Sequence, residues 1–151
     1  MSKTFMDYKK MINEVALLER ENELVLLLPI KENKWSIREI IGHLYHWDDY
    51  NLQTMVSQMR NGAILPNFPD HDQHNQKGLQ SLEGKTAHQI LTLFIEKRQA
   101  IIEAIEKIDM MDRFTIGSSK RAFSSETFIK IFVKHDAHHL KQIKDFLVTC
   151  H

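Results

Sequence analysis

The sequence predicts an all-α protein with the architecture of an antiparallel four-helix bundle that has one long crossover loop. Only five glycines and three prolines interrupt its 151 residues. Between them lie four long stretches of strong helix formers with apolar residues three and four positions apart, the spacing that places them on one helix face. Helices of this kind bury their apolar faces by packing side by side. From the chain length we expect a single domain over residues 1–151.

A proline predicts the end of the first helix, and a capping pattern predicts the start of the second. The first is expected from Thr4 to Leu28, because Pro29 disfavours the helical conformation in the residue before it. Ser36 stands three residues before Glu39, the spacing of a capping box, in which each side chain binds a free amide at the helix start. The second helix is therefore expected to begin at Ser36 and to end at Asn61-Gly62.

The middle of the chain lacks a sustained apolar period. Residues 63–85 contain two prolines and two glycines, which predicts a long loop, and residues 72–80 could form one short helix within it. Thr86 and Gln89 then repeat the capping-box spacing, and a third helix is expected to run to about Lys107.

The last predicted helix carries most of the unusual residues. A second loop covers roughly residues 109–123, after which Ser124 or Ser125 can cap a helix that ends near Val148. This helix includes the stretch KHDAHHLKQI, which places three of the nine histidines of the chain within five positions.

Composition excludes several classes of function. Twenty basic residues balance twenty acidic ones, and the isoelectric point is near 7.1, so no overall field favours nucleic acid or an anionic membrane. The single Cys150 cannot form an intramolecular disulfide, the N-terminal residues lack an apolar segment typical of a signal peptide, and the apolar run Leu24 to Ile30 is too short to span a membrane. We therefore expect a soluble cytoplasmic protein.

Three histidines are candidate metal ligands. His135 and His139 lie one helical turn apart and point within roughly 20° of the direction of Phe128 and Phe146, so they share the apolar face. His43 lies at the edge of the apolar stripe of the second helix. If these two helices are neighbours, the three imidazoles could bind a divalent metal and leave positions open for water or substrate. The alternative is that they are packed histidines hydrogen-bonded to backbone or carboxylate groups.

The other histidines are weaker candidates. His46 and His138 each lie three residues from one of the three and could line the site, support a ligand or face solvent, and solvent is the favoured interpretation for His138. His71 and His74 lie in the predicted loop beside aspartates, where histidines are usually solvated, and His88 and His151 lie at a helix start and at the chain end.

Three segments carry a resemblance to a known family. KWSIREIIGHLYHWDD resembles the second-helix signature of the DinB/YfiT-like proteins, KHDAHHLKQI resembles the HxxxH segment near their C-terminus, and LPNFPDHDQHN is similar to their middle segment. The resemblance implies a four-helix bundle and a divalent metal such as nickel or zinc. It also implies that His43, His135 and His139 are the metal ligands.

The resemblance implies a range of activities. Characterised members include thiol S-transferases that use bacillithiol, mycothiol or glutathione, and a mycothiol-dependent maleylpyruvate isomerase, and homodimers are common among them. Our leading hypothesis is a metal-dependent transferase that joins a low-molecular-weight thiol to small electrophiles in stress or detoxification. The alternatives are a metal- or small-molecule-binding module without turnover and a metal-dependent hydrolase. No general base is evident, and the candidates to border the pocket are Trp47, Tyr50, His46 and Arg121.

Overall fold

The computed structural model describes residues 2–151, which form six α-helices and one pair of short strands. Numbered along the chain, the helices are α1 (Lys3–Leu17), α2 (Glu23–Leu27), α3 (Ile37–Tyr50), α4 (His71–Ser81), α5 (Ala87–Glu106) and α6 (Ser125–Cys150). The strands β1 (Ile64–Leu65) and β2 (Thr115–Ile116) pair in parallel and join the two long connections.

The four long helices form the predicted bundle. Helix α1 packs against α5 and α6, and α3 packs against the same two helices, so α1 and α3 lie across the diagonal. Apolar side chains fill the interior in two clusters, one containing Phe128 and the other Phe94. None of the described helices is long and apolar enough to cross a membrane.

The predicted helix starts are confirmed. Ser36 and Glu39 bind each other's backbone amides through their side chains at 3.2 Å and 3.1 Å. Thr86 and Gln89 form the same reciprocal pair, and Ser124 is the residue that caps α6. Each cap satisfies amides that have no partner inside the helix, which explains why so local a pattern locates the helix start correctly.

The prediction of one continuous first helix from Thr4 to Leu28 is wrong. Helix α1 ends at Leu17, a 3₁₀ turn follows at Leu18–Arg20, and a separate short helix, α2, begins at Glu23. The side-chain oxygen of Asn22 accepts a hydrogen bond from the backbone N–H of Leu24 at 2.8 Å. Asn22 therefore caps a new helix, which it can do only because the backbone leaves the helical conformation there.

The break lets Glu23 contact the start of α5. Its carboxylate accepts hydrogen bonds from the backbone N–H groups of Ala87 at 2.7 Å and His88 at 3.2 Å, and its Oε1 lies 2.7 Å from Nδ1 of His88. These amides are two of the free donors at a helix N-terminus, where the helix dipole also favours a negative charge. Glu23, which was predicted to continue the first helix, thus completes the N-terminal cap of α5.

The second helix also differs from its predicted course. Helix α3 ends at Tyr50, and the chain continues as a π-helical turn, Asn51–Met55, and a 3₁₀ turn, Val56–Gln58. In the π turn the N–H of Val56 binds the carbonyl of Asn51, five residues back. Asn51 and Met55 are both fully buried; the burial of Met55 agrees with its predicted place on the apolar stripe, whereas that of Asn51 was not predicted.

The possible short helix in the middle segment is confirmed as α4. Asp70 caps it by accepting a hydrogen bond from the backbone N–H of Gln73 at 2.9 Å. Helix α4 packs closely on α3, because Gly78 has no side chain: a Cβ there would lie 2.5 Å from Cγ of His46. The segment predicted mainly as loop is therefore a packed helix that covers one side of α3.

A buried arginine joins all four helices of the bundle. Arg98 of α5 donates from Nε to Asp48 of α3 at 2.7 Å, and from Nη1 to Asp136 of α6 at 2.7 Å and to the backbone carbonyl of Tyr8 of α1 at 3.1 Å. Its Nη2 donates a second bond to each carboxylate, at 3.2 Å. These bonds can use all five N–H donors of a guanidinium. Burial raises the pKa of Asp48 to about 6, against the opposing effect of Arg98.

We predict that Arg98→Met greatly destabilises the protein. The substitution leaves two buried carboxylates without a cation, a change that typically costs about 3–5 kcal/mol. The free energy of unfolding from urea denaturation measures the effect. As a matched control, Arg98→Met combined with Asp48→Asn and Asp136→Asn should recover much of the loss, because no unpaired charge remains. Equal stability of Arg98→Met and wild type would contradict the role given to this network.

The contact between Glu23 and His88 predicts a pH-dependent contribution to stability. The hydrogen bond with Glu23 raises the pKa of His88 above its usual value of 6.5. The stabilisation is therefore fully present below about pH 6.5 and is lost as the pH rises through the higher pKa of the folded state. An NMR titration should show the raised pKa of His88 in the wild type and a lower one in Glu23→Gln.

A neighbouring glutamate provides the control for this titration. The carboxylate of Glu21 lies 2.7 Å from His151 instead, so Glu21→Gln should leave the pKa of His88 unchanged. Glu23→Gln should also lower the free energy of unfolding by about 1 kcal/mol, as expected for a helix cap. The same pKa for His88 in both variants would refute the assignment.

Candidate metal centre

His43 is held in α3 with one ring nitrogen facing α6. Its Nδ1–H donates a hydrogen bond to the backbone carbonyl of Ile40, and the side chain is almost fully buried at 1% exposure. Because a neutral imidazole carries one proton, this bond leaves the lone pair on Nε2. The ring of Trp35 packs against His43 with 4.6 Å between ring centroids and so covers it from outside the bundle.

His135 and His139 face His43 from α6. Nδ1 of His139 lies 2.8 Å from Oε1 of Gln142, an acceptor, so this nitrogen carries the proton and Nε2 carries the lone pair. Nε2 of His139 is 3.1 Å from Nε2 of His135. The rings of His43 and His135 are perpendicular, and His139 is close to perpendicular to both, so the three edges converge.

The spacing of the three rings suits one metal ion. One nitrogen from each of His43, His135 and His139 lies within 4.8 Å of the others. Two imidazoles bound to one metal at about 2.0–2.1 Å place their nitrogens about 3.0–3.4 Å apart, and the His135–His139 pair already has this separation. In residues 2–151, no further histidine, cysteine or carboxylate joins this group.

The environment keeps all three rings neutral. Burial, and next the neighbouring His139 and His135, lower the pKa of His43 to about 3. Burial and then His139 lower the pKa of His135 to about 4, and burial also lowers that of His139. At neutral pH each ring therefore has a free lone pair, which is the form of histidine that binds metals.

The Arg98 network lies beside this group and was not predicted from the sequence. Asp136 follows His135 directly in α6, and Asp48 lies five residues after His43 in α3. The bonds of Arg98 to both carboxylates therefore fix how α3 and α6 lie relative to each other next to the histidines. A signal did exist: Arg98 lies on the apolar face of α5, four residues after Phe94.

His46 and His138, the histidines next in the sequence to the three candidate ligands, do not belong to the histidine group. His138 is exposed, as predicted, although its ring centroid is 5.1 Å from that of His139. His46 is half-buried and packs against His74 of α4, with 4.1 Å between ring centroids. His46 is therefore not a fourth member of the group, and its neighbours are in the contact between α3 and α4.

The prediction that His74 is solvated is wrong. His74 is only 9% exposed, because α4 packs on α3 and places its ring against Trp47, 4.2 Å between centroids. His88 is half-buried in its contact with Glu23. His71 is exposed as predicted, but it also borders a cavity beside the histidine group, and His151 is exposed at the chain end.

Of the predicted pocket residues, Trp47 borders that cavity. Its indole N–H donates to Oδ1 of Asn75 at 2.8 Å, which orients both side chains. Tyr50 is half-buried, and its hydroxyl donates to the backbone carbonyl of Asn67 at 3.3 Å. Arg121 is exposed and lies over the ring of Phe123, at 4.5 Å from its centroid. Neither Tyr50 nor Arg121 contacts the three histidines.

Two cavities reach the histidine group. The first, of about 280 Å³, is bordered by His135 and by aromatic side chains of α3, α6 and the middle segment; we call it the aromatic cavity. The second, of about 260 Å³, is bordered by His139, Gln142 and residues before α3, including Lys34 and Trp35; we call it the polar cavity. Both are large enough for small organic molecules.

Comparison with known proteins places the chain in a family. The model of the DinB superfamily matches residues 15–143. The fold is similar to that of YfiT from Bacillus subtilis, described as a probable metal-dependent hydrolase with an unusual four-helix bundle topology, with a TM-score of 0.69 and 16% identity over 97% of this chain and 87% of that one. No curated protein has significant sequence similarity to the chain. With the family model matching most of its length, the chain belongs to the DinB superfamily.

Proposed function

We propose that the protein is a metal-dependent enzyme in which His43, His135 and His139 bind one divalent transition metal, nickel or zinc. The observation that carries the proposal is the convergence of three neutral imidazoles, with one nitrogen of each within 4.8 Å of the others. Two of the rings are already oriented through their far nitrogens, His43 by the carbonyl of Ile40 and His139 by Gln142. Such bonds fix the tautomer and the direction of a metal-binding histidine.

The donor set favours a catalytic centre over a structural one. Structural zinc sites usually have four protein ligands, whereas catalytic sites have three and leave room for water or substrate. Among residues 2–151 the group contains three candidate donors, and cavities border two of them. When bound, the metal supplies Lewis acidity that lowers the pKa of a thiol or water molecule reaching it.

The reaction we propose is thiol S-transfer to a small electrophile. The thiol sulfur attacks the carbon that carries the leaving group, a carbon–sulfur bond forms as the bond to the leaving group breaks, and the leaving group departs with the bonding electron pair. The thiol proton passes to solvent. The resemblance of the histidine segments to the DinB/YfiT-like family supports this reaction, and the neutral charge and two cavities of the chain agree with small substrates.

Hydrolysis is the second candidate, because YfiT, which shares the fold, is described as a probable metal-dependent hydrolase. In that case water takes the place of the thiol, and the same three histidines serve both reactions. The two candidates therefore differ in the nucleophile and not in the metal centre.

We predict about one transition metal per chain and its loss in variants of the three histidines. Protein purified without nickel chromatography is analysed for metals by mass spectrometry. His43→Ala, His135→Ala and His139→Ala should each lose most of the metal, because two imidazoles bind a divalent ion far more weakly than three. His138→Ala is the matched control, since His138 is exposed beside His139 and should keep the metal. Full metal content in all three triad variants would refute the proposed centre.

We predict that the metal-loaded protein forms thiol conjugates. Bacillithiol, mycothiol, glutathione and 3-mercaptopropionate are tested with 1-chloro-2,4-dinitrobenzene, and conjugates are measured by absorbance and mass spectrometry. Chelator and His139→Ala should both reduce the rate to that of the uncatalysed reaction. Product that forms equally with and without thiol, as the hydroxy compound, would instead indicate the hydrolase. No acceleration of either reaction with any of these compounds would count against both.

A further inference from the structure

The histidine group lies between two cavities of different chemistry. His135 borders the aromatic cavity and His139 borders the polar cavity. The two rings are one helical turn apart, with 4.6 Å between centroids. Molecules held in the two cavities could therefore meet at the histidines without occupying the same space.

The aromatic cavity is suited to a flat apolar group. Trp47, Phe68 and Phe132 border it, with ring centroids 6.0–6.2 Å apart in tilted or edge-on arrangements. Aromatic rings packed in this way favour another ring between or against them. Asn75 also borders the cavity, and because its Oδ1 already accepts from Trp47, its NH₂ group can donate to a polar substituent.

The polar cavity has a cation and amide groups beside the apolar side chains of Ile30, Trp35 and Ile40. Lys34 is exposed at its edge, and in the described part of the chain no carboxylate forms a salt bridge with it. Asn33 beside it has a positive φ of 62°, in a turn closed by a bond from the N–H of Lys34 to the carbonyl of Lys31 at 3.1 Å. Gln142, which orients His139, completes this side. An unpaired cation beside amide groups favours a carboxylate.

From this division we infer that the two cavities bind two different substrates of one reaction: an aromatic electrophile beside His135, and a carboxylate-bearing thiol beside His139 with its carboxylate near Lys34. The inference rests on the proposed function. The bonds that form and break are the same, and the inference adds the place where each reactant is held. A hydrolase has only one organic substrate to place, so a second cavity with an unpaired cation favours transfer. Holding both reactants next to each other also makes a bimolecular reaction effectively unimolecular.

The two tryptophans of the chain make the inference directly testable. Trp47 borders the aromatic cavity and Trp35 the polar cavity, and the chain contains no other tryptophan. Each gives one indole N–H signal in a ¹H–¹⁵N NMR spectrum, and Trp35→Phe assigns them. With zinc-loaded protein, 4-nitrotoluene, an unreactive aromatic probe, should shift the Trp47 signal. The anionic thiol 3-mercaptopropionate should shift that of Trp35.

Calorimetry on the wild-type protein tests whether the sites are separate. The Kd of 3-mercaptopropionate should be unchanged when 4-nitrotoluene is saturating, and competition between the two probes would overturn the inference. Lys34→Gln should weaken 3-mercaptopropionate about two- to fivefold, as expected for one exposed ion pair, and leave the neutral thiol 2-mercaptoethanol unchanged. Lys31→Gln, a nearby exposed lysine that does not border the cavity, is the control.

The experiments distinguish an incorrect assignment of the two cavities from an incorrect assignment of the metal ligands. The shift of the Trp47 signal by 4-nitrotoluene is also measured on metal-free protein, where it depends on the aromatic cavity alone. Metal retained in the three triad variants would refute the proposed centre without changing that result. A thiol that shifts Trp47 instead of Trp35, or an equal effect of Lys34→Gln on both thiols, would refute the division of substrates although metal binds as proposed.

Discussion

The hydrogen bonds of the buried Arg98 guanidinium hold the bundle in the arrangement on which the histidine group depends. Arg98 contacts residues of all four long helices and binds both Asp48 and Asp136 through two atoms each. A planar guanidinium accepts two carboxylates only in a narrow range of positions. Since Asp136 is next to His135 in α6, and Asp48 is close to His43 in α3, this geometry also limits the distance between the histidines.

The Arg98 cluster and the histidine group differ in the hydrogen-bonding capacity that they leave unused. Every donor of Arg98 has an acceptor, so that cluster is complete without a ligand, as a buried charge requires. At the histidine group the far nitrogens of His43 and His139 are bonded, while Nε2 of His135 and Nε2 of His139 lie 3.1 Å apart and face the remaining ring nitrogen of His43. A proton between His135 and His139 satisfies only that pair, whereas one cation can be bound by a nitrogen of each of the three rings. The first cluster thus stabilises the fold, and the second is suited to binding.

The middle segment determines what surrounds the histidines. Helix α4 packs on α3 at Gly78 and places Asn75 against Trp47, which forms one side of the aromatic cavity. The polar cavity lies on the other side of the group, formed by the turn before α3 and by Gln142. The bundle thus supplies the three imidazoles, while connections that are irregular or weakly patterned in sequence supply the different chemistry on each side.

The sequence by itself determined the features that depend on neighbouring residues. The caps at Ser36, Thr86 and Ser124 satisfy amides three residues away, and the spacing of His135 and His139 follows from one turn of helix, so all could be predicted locally. Apolar periodicity likewise predicted four bundle helices and placed His43 at the edge of a buried face.

Only the tertiary structure decided the contacts between distant residues. Glu23 finds amides at the start of α5, His74 is buried because α4 meets α3, and Arg98 binds carboxylates from two other helices. The local pattern around Glu23 and His74 fits a solvated side chain equally well, and the place of Arg98 on an apolar face indicates burial but not its partners. The free energy that selects each conformation comes from a partner far away in the chain. The meeting of His43 with His135 and His139 has the same origin.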